Sequence, residues 1–203
     1  AVNSDEFNIL HSEERAVFRK AAFQFGWDWA PRQLAGEISF PVYLTFEDKK
    51  EYLRFASVQT EAISEKVANM LLTLKSEFLK DEKYSIKLAY STSDNETTTL
   101  DLGDLSLENS KDNISLFRFN VENPQLWFPN GYGNPTLYEA TIYLYNKESI
   151  CLDSVKTRFG IRTIELSQKK DKYGSEFCFI VNGKPIFAKG ANLVPSAMHK
   201  ERY

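Results

Sequence analysis

From residue 51 onward, apolar and polar positions alternate in short runs separated by turn-forming residues. That is the pattern of strands with one buried face. Residues 52–59, 67–75, 84–92, 116–121, 137–145 and 150–158 each read as a strand. In 84–92, Ile86, Leu88 and Tyr90 share a face; in 116–121, Phe117, Phe119 and Val121 do. In 137–145 the alternation is strict, with Tyr138, Ala140, Ile142 and Leu144 on one side. The run 67–75 is rich in Leu and fits a helical template as well as a strand, whereas 93–100 is polar and reads as a turn. The pattern predicts an all-β fold: an immunoglobulin-like antiparallel β-sandwich of about seven strands across 51–165, with flanking partial β elements.

The flanks are less complete. Residues 19–25 alternate weakly, as a strand would, and run into Gly26-Trp27-Asp28-Trp29-Ala30-Pro31, where glycine and proline punctuate the chain. A second short run, 40–46, carries Pro41, which confines it to a sheet edge or a strand start. Beyond the sandwich, 169–172 is a charged break. The apolar runs 177–181 and 184–188 then flank Asn182-Gly183, a strong hairpin signal. Residues 1–50 hold too few strands to close a core, and 166–203 hold one hairpin and a stub. Both flanks therefore read as parts of larger domains, and the chain as a piece of a longer protein.

Composition narrows the chemistry. Hydrophobic residues at 42% and charged residues at 26% exclude wholesale disorder, and 15 Phe with 10 Tyr favour strands. A net charge of −3 argues against a nucleic-acid partner. No apolar run reaches the ~18 residues that span a bilayer, so no membrane partner is expected. No secretory apolar segment opens the sequence as given. Two cysteines, Cys151 and Cys178, and two histidines, His11 and His199, make neither a disulfide framework nor a zinc set. With no Gly-rich phosphate loop either, the expectation is no metal and no cofactor.

Trp27-Asp28-Trp29 is the most distinctive cluster. Aromatic faces stack on sugar C–H surfaces, and a carboxylate accepts hydroxyl hydrogen bonds. The other reading is that both tryptophans pack near a turn. Asn130-Gly131-Tyr132-Gly133-Asn134, after Trp127-Phe128-Pro129, reads as an ordered loop between strands. Asn192, after Lys189-Gly190, reads either as the end of a strand, where barrel enzymes place site residues, or equally as a turn asparagine. Paired carboxylates suited to glycosidic chemistry are not visible as a pattern. Asn95-Glu96-Thr97 and Asn113-Ile114-Ser115 match glycosylation sequons at about the frequency chance provides.

Four segments in order carry a family resemblance. Arg19-Lys20 through Gly26-Trp27-Asp28-Trp29-Ala30-Pro31-Arg32 resembles the RKxxxxxGWDWGPR signature of β-mannosidases in glycoside hydrolase family 2. Asn123-Pro124-Gln125-Leu126-Trp127-Phe128-Pro129-Asn130-Gly131-Tyr132-Gly133 is similar to their NPxLWWPNGYG segment. Phe159-Gly160-Ile161-Arg162-Thr163-Ile164-Glu165-Leu166 is similar to GFRTVEL, and the stretch ending in VNGKPIFAKGAN at Asn192 resembles the opening of their catalytic barrel. The ordered set spans about 19–192 and is more specific than any one motif.

The resemblance implies an architecture and an activity. Residues 1–50 would be the last strands of a jelly-roll sugar-binding domain, 51–165 an immunoglobulin-like sandwich, and 166–203 the opening hairpin and first strand of a (β/α)8 barrel. The family hydrolyses terminal β-D-mannose with retention, using two glutamates on later barrel strands that this chain does not carry. The chain alone therefore has no catalytic residue and is expected to be inactive. Its partners would be β-mannoside oligosaccharides or glycoprotein glycans, met through the full-length parent, together with intramolecular packing against the rest of the jelly roll and barrel. Asp28 matches the aspartate that binds sugar hydroxyls at the barrel mouth, with Trp27 beside it, and Asn192 matches a position near the end of the first barrel strand. In a bacterium such an enzyme is periplasmic or secreted; in an animal it is lysosomal. Three positions depart from the pattern: Ala30 replaces a glycine, Ser39 a tryptophan, and Leu193 the tryptophan that often follows KGAN. They bear on sugar specificity more than on fold. The competing readings are a stand-alone β-sandwich carbohydrate-binding or adhesion module, and a family 2 glycosidase of another sugar.

Overall fold

The structure is a computed structural model that describes residues 21–34, 38, 41–42, 44, 51–77, 83–92, 94, 96–105 and 113–194. The chain divides into two compact units, Glu47–Ala188 and a smaller one formed by Ala1–Phe46 with Lys189–Tyr203.

Among the described residues of the larger unit, seven strands form two antiparallel sheets. They are β1 (Tyr52–Ile63), β2 (Val67–Glu77), β3 (Tyr84–Ser91), β4 (Thr98–Leu105), β5 (Ile114–Glu122), β6 (Tyr138–Tyr145) and β7 (Cys151–Phe159). One sheet runs β1-β2-β5 and the other β4-β3-β6-β7. The fourth strand pairs with the third rather than with the fifth, which gives a three-on-four immunoglobulin-like sandwich. The Leu-rich run 67–75 is strand: Ala68, Met70, Leu72 and Leu74 are fully buried at every second position, and a helix would scatter them around its axis.

The predicted faces meet in one core. Ile86, Leu88, Ile142 and Leu144 are fully buried, opposite the β2 residues, with Phe119 and Val121 from β5. At one end Tyr90, Phe119, Tyr138 and Phe159 form an aromatic cluster, in which Tyr138 and Phe159 stack at 5.1 Å as cross-strand partners. On one flank, β1 and β7 are tied side by side. The Leu53 amide donates to an Asp153 carboxylate oxygen at 2.8 Å.

Two local expectations differ from the structure. Residues 93–100 were expected to be a turn, yet Thr98 already begins β4. Leu100 and Leu102 pack inward, a bulge opposite Ile86 and Lys87 shifts the register, and Leu105 is buried. Residues 22–25 form a single 3-10 turn rather than a strand, and it ends at Gly26 with φ of 105°. The expected strand at 40–46 lies largely outside the described residues, as do residues 19–20 and both histidines.

A third sheet completes the larger unit: β8 (Ile164–Ser167), β9 (Cys178–Val181) and β10 (Lys184–Ile186), in the order β10-β9-β8. The β9–β10 hairpin turns on Asn182 and Gly183, both left-handed (φ 48° and 76°). The charged break at 169–172 becomes a tight turn, in which an Asp171 carboxylate oxygen accepts the amides of Tyr173 and Gly174 at 2.7 and 2.8 Å.

Candidate functional site

The predicted sugar-binding residues sit on short-range structure. Gly26 takes a φ of 105°, a region open to glycine and costly for most side chains. The chain then doubles back: the Trp27 amide donates to the Ala30 carbonyl at 2.9 Å, and the Ala30 amide returns to the Trp27 carbonyl at 3.2 Å. Asp28 and Trp29 occupy the corner, with Asp28 exposed and Trp27 half-buried. Beneath the turn Phe25 is buried, and the Arg32 guanidinium lies 5.7 Å from its ring centre. Trp29 packs on Phe23 at 5.4 Å between ring centres. Trp29 keeps 39% of its surface exposed despite this contact, whereas Trp27 is the more buried of the two and adjoins the exposed Asp28. Asn192 lies on an exposed, irregular stretch, followed by Leu193 at 94% exposure. The structure joins Asp28 to Trp27 on one turn and leaves Asn192 on a separate segment.

The loop between β5 and β6 forms the other built feature. It is anchored at its start by Tyr138, whose hydroxyl accepts the Gln125 amide at 2.8 Å. Trp127 then pairs with the segment after β7, its amide donating to the Ile161 carbonyl at 2.9 Å. The Arg162 guanidinium lies over the Trp127 ring at 4.3 Å, within cation–π range. Phe128 and Asn134 close the Pro129-Asn130-Gly131-Tyr132 turn through a 2.9 Å backbone bond, with Gly131 at φ 85°. The segment is an ordered loop, and both its backbone and its side chains meet the third sheet. The Asn182 amide nitrogen donates to the Trp127 carbonyl at 2.9 Å, and the Tyr132 hydroxyl accepts the Phe187 amide at 2.8 Å. Lys184 sits over the Phe128 ring at 4.9 Å.

Beside this junction lies a groove of about 620 Å³, lined by Tyr132, Phe177, Phe179, Pro185 and Phe187 among others. Phe177 and Phe187 are 70% and 74% exposed, a large apolar display for so small a sheet. Among the described residues, no three His, Cys, Asp or Glu gather closely enough to hold a metal ion.

Sequence reasoning missed Asn182 and Tyr132 as contact residues. Asn182 was visible only as a hairpin turn, and its partners Trp127 and Thr163 lie 55 and 19 positions away. The hint lay in the run of aromatic, proline and glycine residues at 127–133, too ordered for a mere connection.

The fold and these motifs define a glycoside-hydrolase type of β-sandwich, and comparison with known proteins agrees. The sequence model of the glycosyl hydrolases family 2 matches residues 52–162, and the chain belongs to that family. It is 34% identical over 205 residues to beta-mannosidase B of Aspergillus flavus, covering 93% of this chain and 22% of that protein. To beta-mannosidase B of Emericella nidulans it is 33% identical over 190 residues, covering 90% and 21%. The crystal structure of a beta-D-mannosidase from Dictyoglomus thermophilum superposes with a TM-score of 0.69 at 29% identity, over 91% of this chain and 22% of that one. The chain thus spans about a fifth of the length of the relatives it matches.

Proposed function

We propose that this chain is the non-catalytic portion of a retaining exo-β-mannosidase that hydrolyses terminal β-D-mannose residues. The observation that carries the reading is the similarity over more than nine-tenths of the chain to proteins named beta-mannosidase, together with the turn that presents Asp28 outward beside Trp27. In this reading, residues 1–50 end a jelly-roll domain, 51–165 are the immunoglobulin-like domain, and 166–203 open the catalytic barrel. Asp28 accepts hydroxyl hydrogen bonds from the terminal sugar. Trp27 supplies an apolar wall, and Asn192 a second polar contact. The reaction itself needs an acid/base carboxyl and a nucleophilic carboxylate about 5–5.5 Å apart, which form and then hydrolyse a glycosyl-enzyme intermediate. Both come from the part of the parent beyond this chain. The exposed Phe177, Phe179 and Phe187 are the surface on which that part packs.

The full-length parent tests the proposal. It should release nitrophenol from nitrophenyl β-D-mannoside with far higher kcat/KM than from the β-galactoside or β-glucuronide, and with retained anomeric configuration by NMR. The 203-residue chain should release none above a denatured control. A parent that prefers another glycoside would overturn the sugar assignment, and one with no glycosidase activity would leave a binding module.

A further inference from the structure

We infer that Asn182 is a positioning residue: its side chain latches the third sheet onto the sandwich and thereby sets the course of the chain through Phe187. The geometry is two-sided. The Asn182 amide oxygen accepts the Thr163 amide at 2.8 Å, while its amide nitrogen donates to the Trp127 carbonyl at 2.9 Å. Its backbone amide also donates to the Thr163 carbonyl at 3.1 Å. One residue of the β9–β10 turn therefore grips both the segment leaving β7 and the loop leaving β5.

The residue type follows from these demands. The position needs an acceptor and a donor on one short side chain. Asparagine offers both, aspartate only the first. The backbone stands at φ 48°, which asparagine tolerates better than most residues. The partners fix the amide's orientation, because a backbone N–H and a backbone carbonyl cannot exchange roles.

The rest of the junction is arranged around the latch. Trp127 is pinned from its other side by the Ile161 carbonyl and covered by Arg162. Its loop carries Tyr132, whose hydroxyl takes the Phe187 amide at 2.8 Å immediately after β10. With Trp127 held, Tyr132 is in place to hold Phe187. Without that side chain, the third sheet keeps its own ladders, the backbone bond from Asn182 to the Thr163 carbonyl, and the contacts around Tyr132 and Lys184, but loses its bond to the Trp127 carbonyl.

Hydrogen exchange followed by NMR on the 203-residue chain decides this. Asn182→Ala would add backbone strain, so the test uses Asn182→Gly, which keeps the left-handed turn and removes only the side chain. The amides of Phe187 and Trp127 do not bond to Asn182, so their exchange reports the junction rather than a lost direct contact. Both should exchange at least about tenfold faster, while β2, β3 and β6 keep their protection. Asn182→Asp, which keeps the acceptor and loses the donor, should fall between. Unchanged exchange at Phe187 and Trp127 would overturn the latch, as would equal acceleration throughout the sandwich.

The catalytic consequence rests on the function proposed above. In the full-length parent, Asn182→Gly should lower kcat/KM for nitrophenyl β-D-mannoside at least about tenfold, with Asn182→Asp intermediate, because small displacements of a site are costly. Full kinetics alongside faster Phe187 exchange would overturn the positioning role. A parent inactive on β-mannosides before any substitution would overturn the sugar assignment instead, and the exchange result would still decide the latch.

Discussion

The hydroxyl of Tyr138, at the first position of β6, accepts the backbone amide of Gln125 across the whole β5–β6 loop at 2.8 Å. The ring is 3% exposed, stacked on Phe159 and edge-on to Tyr90. A single side chain thus fills the end of the core with its ring and fixes the loop that carries Trp127 and Tyr132 with its oxygen. The position, at the start of the sixth strand, is that of the tyrosine corner of immunoglobulin-like sandwiches, but here the bond reaches 13 residues upstream rather than a few.

Tyr138→Phe isolates that oxygen. The ring packing survives, and the half-buried Gln125 amide loses its partner. The expected cost is about 1–2 kcal/mol, a net hydrogen bond plus part of the penalty for an unpaired donor. A urea titration with unchanged m-value should read it as a lower midpoint. An unchanged midpoint would show that water replaces the hydroxyl at no cost.

Gly160→Ala probes the other side of the loop. A Cβ built at Gly160 would stand 3.0 Å from the Cβ and 3.1 Å from the Cγ of Trp127. Trp127 is held by the Ile161 carbonyl and by Asn182, so it has little room to give. Overpacking of this kind costs about 1–3 kcal/mol. Gly190→Ala, which meets nothing within 4 Å, should stay within ~0.5 kcal/mol. Thermal melts of the two variants should therefore separate. Equal melting temperatures would mean that the Trp127 ring shifts freely.

The strands that bury one face were legible because their period of two is uninterrupted: β3 and β6 place every predicted inward residue in the core. β4 was not legible. Its inward leucines are separated by Asp101 and Gly103, and a bulge breaks the alternation before Leu105. In residues 22–25, Ala-Phe-Gln-Phe imitates a strand, while the chain coils in a 3-10 turn that buries Phe25 and leaves Phe23 against Trp29. Of the candidate site, the turn at Gly26–Ala30 was legible from its glycine and its aromatics. Aromatics beside a carboxylate pointed to the turn, but composition could not tell Trp29, packed on Phe23, from Trp27. The latch at Asn182 was hidden because its bonds run to residues distant in sequence.

Stability should fall on the alkaline side. Burial holds the hydroxyl protons of Tyr90 and Tyr138 above the ordinary tyrosine range. At Tyr90 a hydrogen bond with Thr98 opposes burial, and Tyr138 and Glu122 add to it; at Tyr138 the bond from Gln125 opposes it. Unfolded tyrosines lose their protons near pH 10, the folded ones later. Above about pH 10 the unfolded state therefore binds fewer protons, and stability drops as pH rises towards the raised values. Urea midpoints measured from pH 8 to 11 should decline, and Tyr90→Phe should flatten the decline. The same slope in the variant would assign it to other groups.

The final prediction concerns Asp28. It stands exposed at the corner of the Trp27–Ala30 turn, whose closing bonds are made by backbone atoms. Asp28→Ala should therefore leave the stability of the 203-residue chain within ~0.5 kcal/mol. In the full-length parent its effect should lie on catalysis. A carboxylate accepting sugar hydroxyls makes charge-assisted bonds of about 1.5–3 kcal/mol each. Losing one such bond should lower kcat/KM for β-mannosides at least about tenfold. If the bonds tighten as the sugar distorts towards the transition state, kcat falls with it; if they are equally strong in the ground state, the loss sits in KM. Asp28→Asn, which keeps the shape and loses the charge, should recover part of the rate. Kinetics and melting temperature both unchanged in Asp28→Ala would make Asp28 a turn residue alone, and would return Trp27 to packing beside Trp29.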